Sequence, residues 1–246
     1  MQFRRYPRKT KGEIYSPLTT KNKPRNHKIM SEELIVKNET KESPLEISAN
    51  LNNMHIDKED IDLPRLNIMQ KTSDMDFEVG SLVIDKMHEI TQRDIKIDCV
   101  VLSAAKMWRE NIPFEVEEMP EIRYTKEEAR ALEIESQYGV IEFAEITLLF
   151  PEPEGDSNPE VYDFPIADKR YAMGRINVQK DGYKNTYKRL TRFALFNPTT
   201  PINSRVWQFE TQLMTRGKHS WFIPTLTATE EHVEEPVGDF ANTFSL

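Results

Sequence analysis

The chain has 246 residues, 30% of them charged and 38% hydrophobic, with a formal net charge of -8. So little apolar content excludes a core running through the whole chain and leaves roughly 150 residues to fold beside disordered segments. A single cysteine, Cys99, excludes an intramolecular disulfide, and no apolar run reaches the ~18 residues needed to span a bilayer.

Residues 1–30 hold nine basic side chains and one acid, Glu13, with Pro7, Pro17 and Pro24 breaking any helix. They read as a disordered basic arm. No apolar h-region follows the basic start, so a secretory signal is not expected, and the expected compartment is the cytoplasm, the host's if the chain is viral. Residues 31–60 mix Lys, Glu and Asn without a core-forming period and read as a polar tether. One β-rich domain is expected over residues 61–229. Leu66, Ile68 and Gln70 alternate with Asn67 and Met69 as a strand entry, and Gly80 precedes Leu82, Val83 and Ile84. Residues 95–102 alternate and then turn fully apolar, which suits a strand entering the core with Cys99 buried in it.

The clearest helix covers residues 126–138. Thr125 and Glu128 have capping-box spacing, and Gly139 stands where a C-terminal cap belongs. Residues 140–150 follow as a long apolar strand. Residues 151–159, with three prolines and Gly155, read as a loop. Asp181 and Gly182 signal a turn between residues 175–180 and 183–190, although Tyr187, Leu190 and Ala194 also share a helical face. Trp207, Phe209, Thr211 and Leu213 alternate with polar residues as a half-buried strand. Arg216, Gly217 and Lys218 turn it back into Trp221, Phe222 and Ile223. The expected fold class is mainly β (α+β), an OB-like barrel or sandwich with one clear helix between disordered termini.

Charge is sorted into blocks. Residues 110–163 contain sixteen acids and three bases; residues 169–221 contain eleven bases and two acids; residues 230–246 contain five acids and no base. The last block reads as an acidic flexible tail. Within the basic block, aromatic and cationic residues interleave. Single-stranded nucleic acid asks for both, cations for the phosphates and rings for unpaired bases. The candidate nucleic-acid-binding residues are therefore Arg170, Tyr171, Arg175, Lys180, Tyr183, Lys184, Tyr187, Lys188, Arg189, Arg192, Arg216, Lys218 and Trp221. Trp207 and Phe209 are assigned to the core instead. An acidic tail could occupy the basic groove until nucleic acid displaces it, or dock on a partner protein.

A basic and aromatic OB-type core followed by an acidic segment ending in Phe240 and Phe244 resembles phage and bacterial single-stranded-DNA-binding proteins. Residues 63–70, Lys184 to Lys188 and the hairpin of residues 207–224 are also similar to a group of phage proteins. The resemblance covers residues 61–229. It implies DNA binding in bacteriophage replication or recombination, with replication proteins as partners and homo-oligomers possible. Asn242, Thr243 and Ser245 depart from the bacterial pattern, in which acids directly precede the final apolar tip. The second reading is a viral structural or assembly protein, for which the basic arm speaks.

Catalysis finds little footing. The five histidines are scattered, no zinc-peptidase spacing occurs, and there is no Gly-rich phosphate loop or nucleophile elbow. Glu142 with Glu145, or Asp163 with Asp168 beside Lys169, are the pairs that could hold a divalent metal for nuclease chemistry. The expectation is a non-enzyme with neither cofactor nor metal.

Overall fold

The computed structural model describes residues 62–113, 115–155 and 158–244. The basic arm and the tether of residues 1–60 lie outside the described residues. The described chain is mainly β with helices, built on two antiparallel sheets. The smaller joins β1 (Leu66–Ile68), β2 (Leu82–Ile84) and β3 (His88–Thr91). The larger is built from three long strands in a meander and one long hairpin. The meander is β4 (Ile97–Glu110), β6 (Val140–Pro151) and β8 (Lys169–Gln179); the hairpin is β9 (Arg205–Arg216) and β10 (His219–His232). With the short β7 (Phe164–Ile166), the strand order is β10-β9-β4-β6-β8-β7, and β5 (Ile122–Arg123) pairs with β4.

Alternation along these strands sends apolar side chains to both faces of the large sheet. On the inner face, Cys99, Val101, Ile146, Leu148, Phe150, Ala172, Trp207, Phe209 and Leu226 form the main core. Phe150 meets Phe209 edge-on at 5.8 Å, and Phe193 meets Trp207 at 5.2 Å. On the outer face, Val100, Leu102, Leu149 and Tyr171 form a second cluster with Val237 and Ala241.

The meander is not laddered to the hairpin along β8 and β10. The N-terminal segment sits across that seam. Arg175 N–H donates to Pro64 O at 2.8 Å, and Arg65 forms a parallel bridge with Arg175. Gln70 then binds β10 as a strand would: its Nε2 donates to Phe222 O and its Oε1 accepts from Phe222 N–H, both at 2.9 Å. Gly174 permits this approach, because a Cβ there would lie 2.8 Å from Leu66 Cγ.

Helix α1 (Lys126–Glu135) carries the expected cap: Glu128 N–H donates to Thr125 Oγ1, and Thr125 N–H donates to the Glu128 carboxylate at 3.1 Å. The single-helix expectation is corrected by three more helices. Residues 183–190 are not a strand after a turn. Asp181 and Gly182 lie inside α2 (Lys180–Asn185), and α3 (Tyr187–Phe196) follows at once. The break that starts them is local, since Lys180 sits at φ 51°. The packing that holds them is not, since Leu190 is buried in the inner core and Tyr187 and Phe193 pack against it. The flexible-tail expectation is corrected as well. β10 continues through His232, and residues 235–244 form α4 (Glu235–Phe244). Val237, Phe240, Ala241 and Phe244 recur at helical spacing, a stripe that the surrounding acidic block conceals. Val237 and Ala241 are buried, and Phe240 lies 5.0 Å from Phe164. No described helix is long and apolar enough to cross a membrane.

Candidate nucleic-acid interface

The interface is best built from the seam. Where β1, the end of β8, α2 and the turn of the β9–β10 hairpin converge, they leave an open cleft of about 840 Å³. Gly182 closes one side, its Cα close enough to Pro224 that an added Cβ would sit 3.3 Å from the ring. Lys180, Lys184, Arg216 and Trp221 line this cleft, with Asp181 as its one carboxylate. Lys184 Nζ donates to Asp181 Oδ1 at 3.1 Å, so part of the positive charge is already balanced. Asn67, Gln70, Asn177 and Gln179 add amides to the wall. Trp221 is half-buried, with one part of its surface open, while Lys180, Lys184 and Arg216 are exposed.

The other candidates divide into three fates. Tyr171 and Tyr183 are interred, at 4% and 6% exposure, so neither offers a free ring. Tyr171 belongs to the outer cluster beneath α4, and burial pushes its hydroxyl pKa up. Tyr183 stacks on Tyr187 with ring centroids 5.1 Å apart, and burial raises its pKa too. Arg170, Arg175 and Arg189 are tied into the fold. Arg170 donates to Tyr162 O and Pro159 O, Arg175 to Asp62 at 2.7 Å, and Arg189 to Leu226 O and Thr227. Lys188, Arg192 and Lys218 are exposed away from the cleft walls; Arg192 lies over Phe196 and Lys188 over Tyr183.

Several useful residues lie outside the basic block and escaped a reading that searched inside it. Lys71 Nζ donates to Ser220 Oγ at 2.9 Å, which places a cation at the residue just before Trp221. Lys106 lies 4.8 Å over the half-exposed Trp108 ring and donates to Glu142 at 2.8 Å. Burial disfavours its charge, but the bonds to Glu142 and Tyr183 lift its pKa above the usual lysine value. Arg109 donates to Gln179 at 2.8 Å and stands 5.6 Å from the Phe143 ring. The end of β4 was the available signal: Lys106, Trp108 and Arg109 follow its apolar stretch of residues 99–102.

The carboxylate pairs do not form metal sites as written. Glu142 and Glu145 are three residues apart on one strand, hence on opposite faces. Lys169, beside Asp168, bonds Glu234 at 2.5 Å, ahead of α4. Among the described residues no group of three or more His, Cys, Asp or Glu could hold a metal ion. No residue of α4 lines the cleft. No protein-family model, curated protein or solved structure matches the chain.

Proposed function

We propose that the described domain is a partly open OB-type barrel that binds single-stranded nucleic acid at the seam between β8 and β10. The connectivity supports the barrel reading. A three-strand meander is followed by a helical crossover and a hairpin whose first strand returns beside β4, the arrangement of a five-stranded Greek-key barrel. In that reading β4, β6, β8, β9 and β10 are the five strands, and residues 62–70 plug a seam the ladder leaves open.

The observation that carries the binding reading is the cleft itself: a half-open indole, Trp221, beside Lys180, Lys184 and Arg216. An unpaired base stacks on such a ring for about 1–3 kcal/mol, and the cations follow the phosphates on either side. A duplex keeps its bases stacked on one another and offers Trp221 nothing. The role is binding without catalysis, in phage DNA replication or recombination. The exposed acids Glu230, Glu231, Glu235 and Asp239, on and just before α4, remain available to basic partner proteins.

A viral assembly role is the second reading. Met119, Tyr124 and Ile134 favour it, at 94%, 71% and 86% exposure around acidic α1. Fluorescent oligo-dT titration over a salt series separates the two. Binding that weakens steeply with salt and exceeds binding to duplex of equal length supports the nucleic-acid reading. Equal affinity for both, or salt-resistant self-assembly without nucleic acid, supports assembly.

A further inference from the structure

Strand β4 pairs with β6 from Val100 to Glu110, yet its other edge is covered only at the ends. β9 pairs with Ile97 to Val100, and β5 pairs with Trp108 and Arg109, both antiparallel. Among the described residues no strand lies beside residues 101–107 on that edge. This is a gap of about 23 Å at ~3.3 Å per residue. The chain ahead of β9 could have filled it, but it turns away in a 3-10 turn at Ile202–Ser204. Ser204 N–H is bonded to Pro201 O there, and the Trp207 indole N–H to Ile202 O.

A groove of about 580 Å³ opens along this bare edge. Ser103, Ala104 and Ala105 line it, and none is bulky enough to keep another backbone away. Its two sides differ. Ala194 and Ile202 wall the inner side, where Ile202 packs on the main core. Glu145, the only charged residue in the lining, shares a strand face with Thr147 and Leu149 on the outer side. Arg175 stands 4.0 Å from Glu145, beyond hydrogen-bonding distance.

We propose that this edge accepts one more strand: an extended peptide segment with alternating apolar and basic side chains, seated between β9 and β5 and antiparallel to β4. Past the β-bulge between Val101 and Ser103, alternate residues of 103–107 turn their backbone N–H and C=O groups to the gap, and an extended chain matches a row of such groups at the right repeat. Apolar side chains of the incoming strand meet Ala194 and Ile202, and its basic side chains meet Glu145. The surface is independent of the nucleic-acid cleft, with which it shares no lining residue.

The test uses the full chain and the acetylated, amidated hexapeptide Val-Lys-Val-Lys-Val-Lys. Two further versions carry N-methyl groups on the valines or on the lysines. Amide exchange is followed residue by residue by NMR. Saturating parent peptide slows exchange at alternate residues between 103 and 107 about tenfold. One N-methylated version, the one blocked on the β4-facing edge, loses binding while the other keeps it. Glu145→Gln binds the parent about threefold more weakly. Absence of slowed exchange at residues 103–107, or equal binding by both N-methylated peptides, overturns the proposal.

Discussion

Two connections between strands of the large sheet carry helices, and they are built in opposite ways. The link from β4 to β6 carries α1, which buries only Ala129 and Leu132 and leaves Ile134 in solvent among Glu127, Glu128, Glu133 and Glu135. The link from β8 to β9 carries α2 and α3, which bury Tyr183, Thr186 and Leu190 and present Lys180, Lys184, Lys188, Arg189 and Arg192 outward. The acidic helix holds its shape largely through its own cap. The basic pair holds its shape through the core and shapes one wall of the cleft. Block charge therefore reports what a connection shows to solvent; packing decides which connection the fold depends on.

The comparison can be broken most forcefully at Leu190. Leu190→Ala removes a fully buried side chain from the inner core and should cost about 2–5 kcal/mol in urea unfolding. Ile134→Ala, on the acidic helix, should stay within about 0.5 kcal/mol. Equal losses would mean that the basic connection is no more anchored than the acidic one. Cys99 offers an internal reporter, because the thiol is buried and burial holds it in the neutral form. Alkylation should track global unfolding, so Leu190→Ala should speed it and Ile134→Ala should not.

At the cleft, Trp221→Ala should weaken oligo-dT binding by about 1–3 kcal/mol with little change in unfolding free energy. On the acidic side, Thr125→Ala removes the α1 cap and should cost about 1 kcal/mol, seen as faster amide exchange confined to residues 126–135. The smallest effect sharpens the charge argument. Arg216→Ala should reduce the slope of log affinity against log salt by about 0.7, one phosphate contact on a single strand. An unchanged slope would remove Arg216 from the interface.

The same contrast explains what was legible in the sequence. α1 could be read because its signals are local: Thr125 and Glu128 three residues apart, then Gly139 at φ 70° beyond its end. The β9–β10 hairpin was legible because Trp207, Phe209 and Thr211 alternate strictly and Gly217 takes the turn at φ 61°. α2 was not, because Asp181 and Gly182 signal a turn, and α3 was only half legible: Tyr187, Leu190 and Ala194 share a helical face, but the distant core decides for the helix. α4 was hidden because Val237, Phe240, Ala241 and Phe244 stand in a block of five acids and no base, whose charge reads as a solvated tail. The candidate site was half legible. Composition pointed to the basic block, but a ring among charges was taken as exposed, whereas Tyr171 and Tyr183 serve the two clusters. Lys71 reaches Ser220 across 149 positions, a separation no local pattern encodes.

The most direct measurement is photo-cross-linking of the full chain to single-stranded oligo-dT carrying 5-iodouracil, followed by mass-spectrometric mapping. The account predicts a principal cross-link at Trp221 that disappears in Trp221→Ala and is outcompeted by unlabelled oligo-dT but not by duplex. Cross-links confined to residues 1–30 or to α1, with Trp221 untouched, would contradict it.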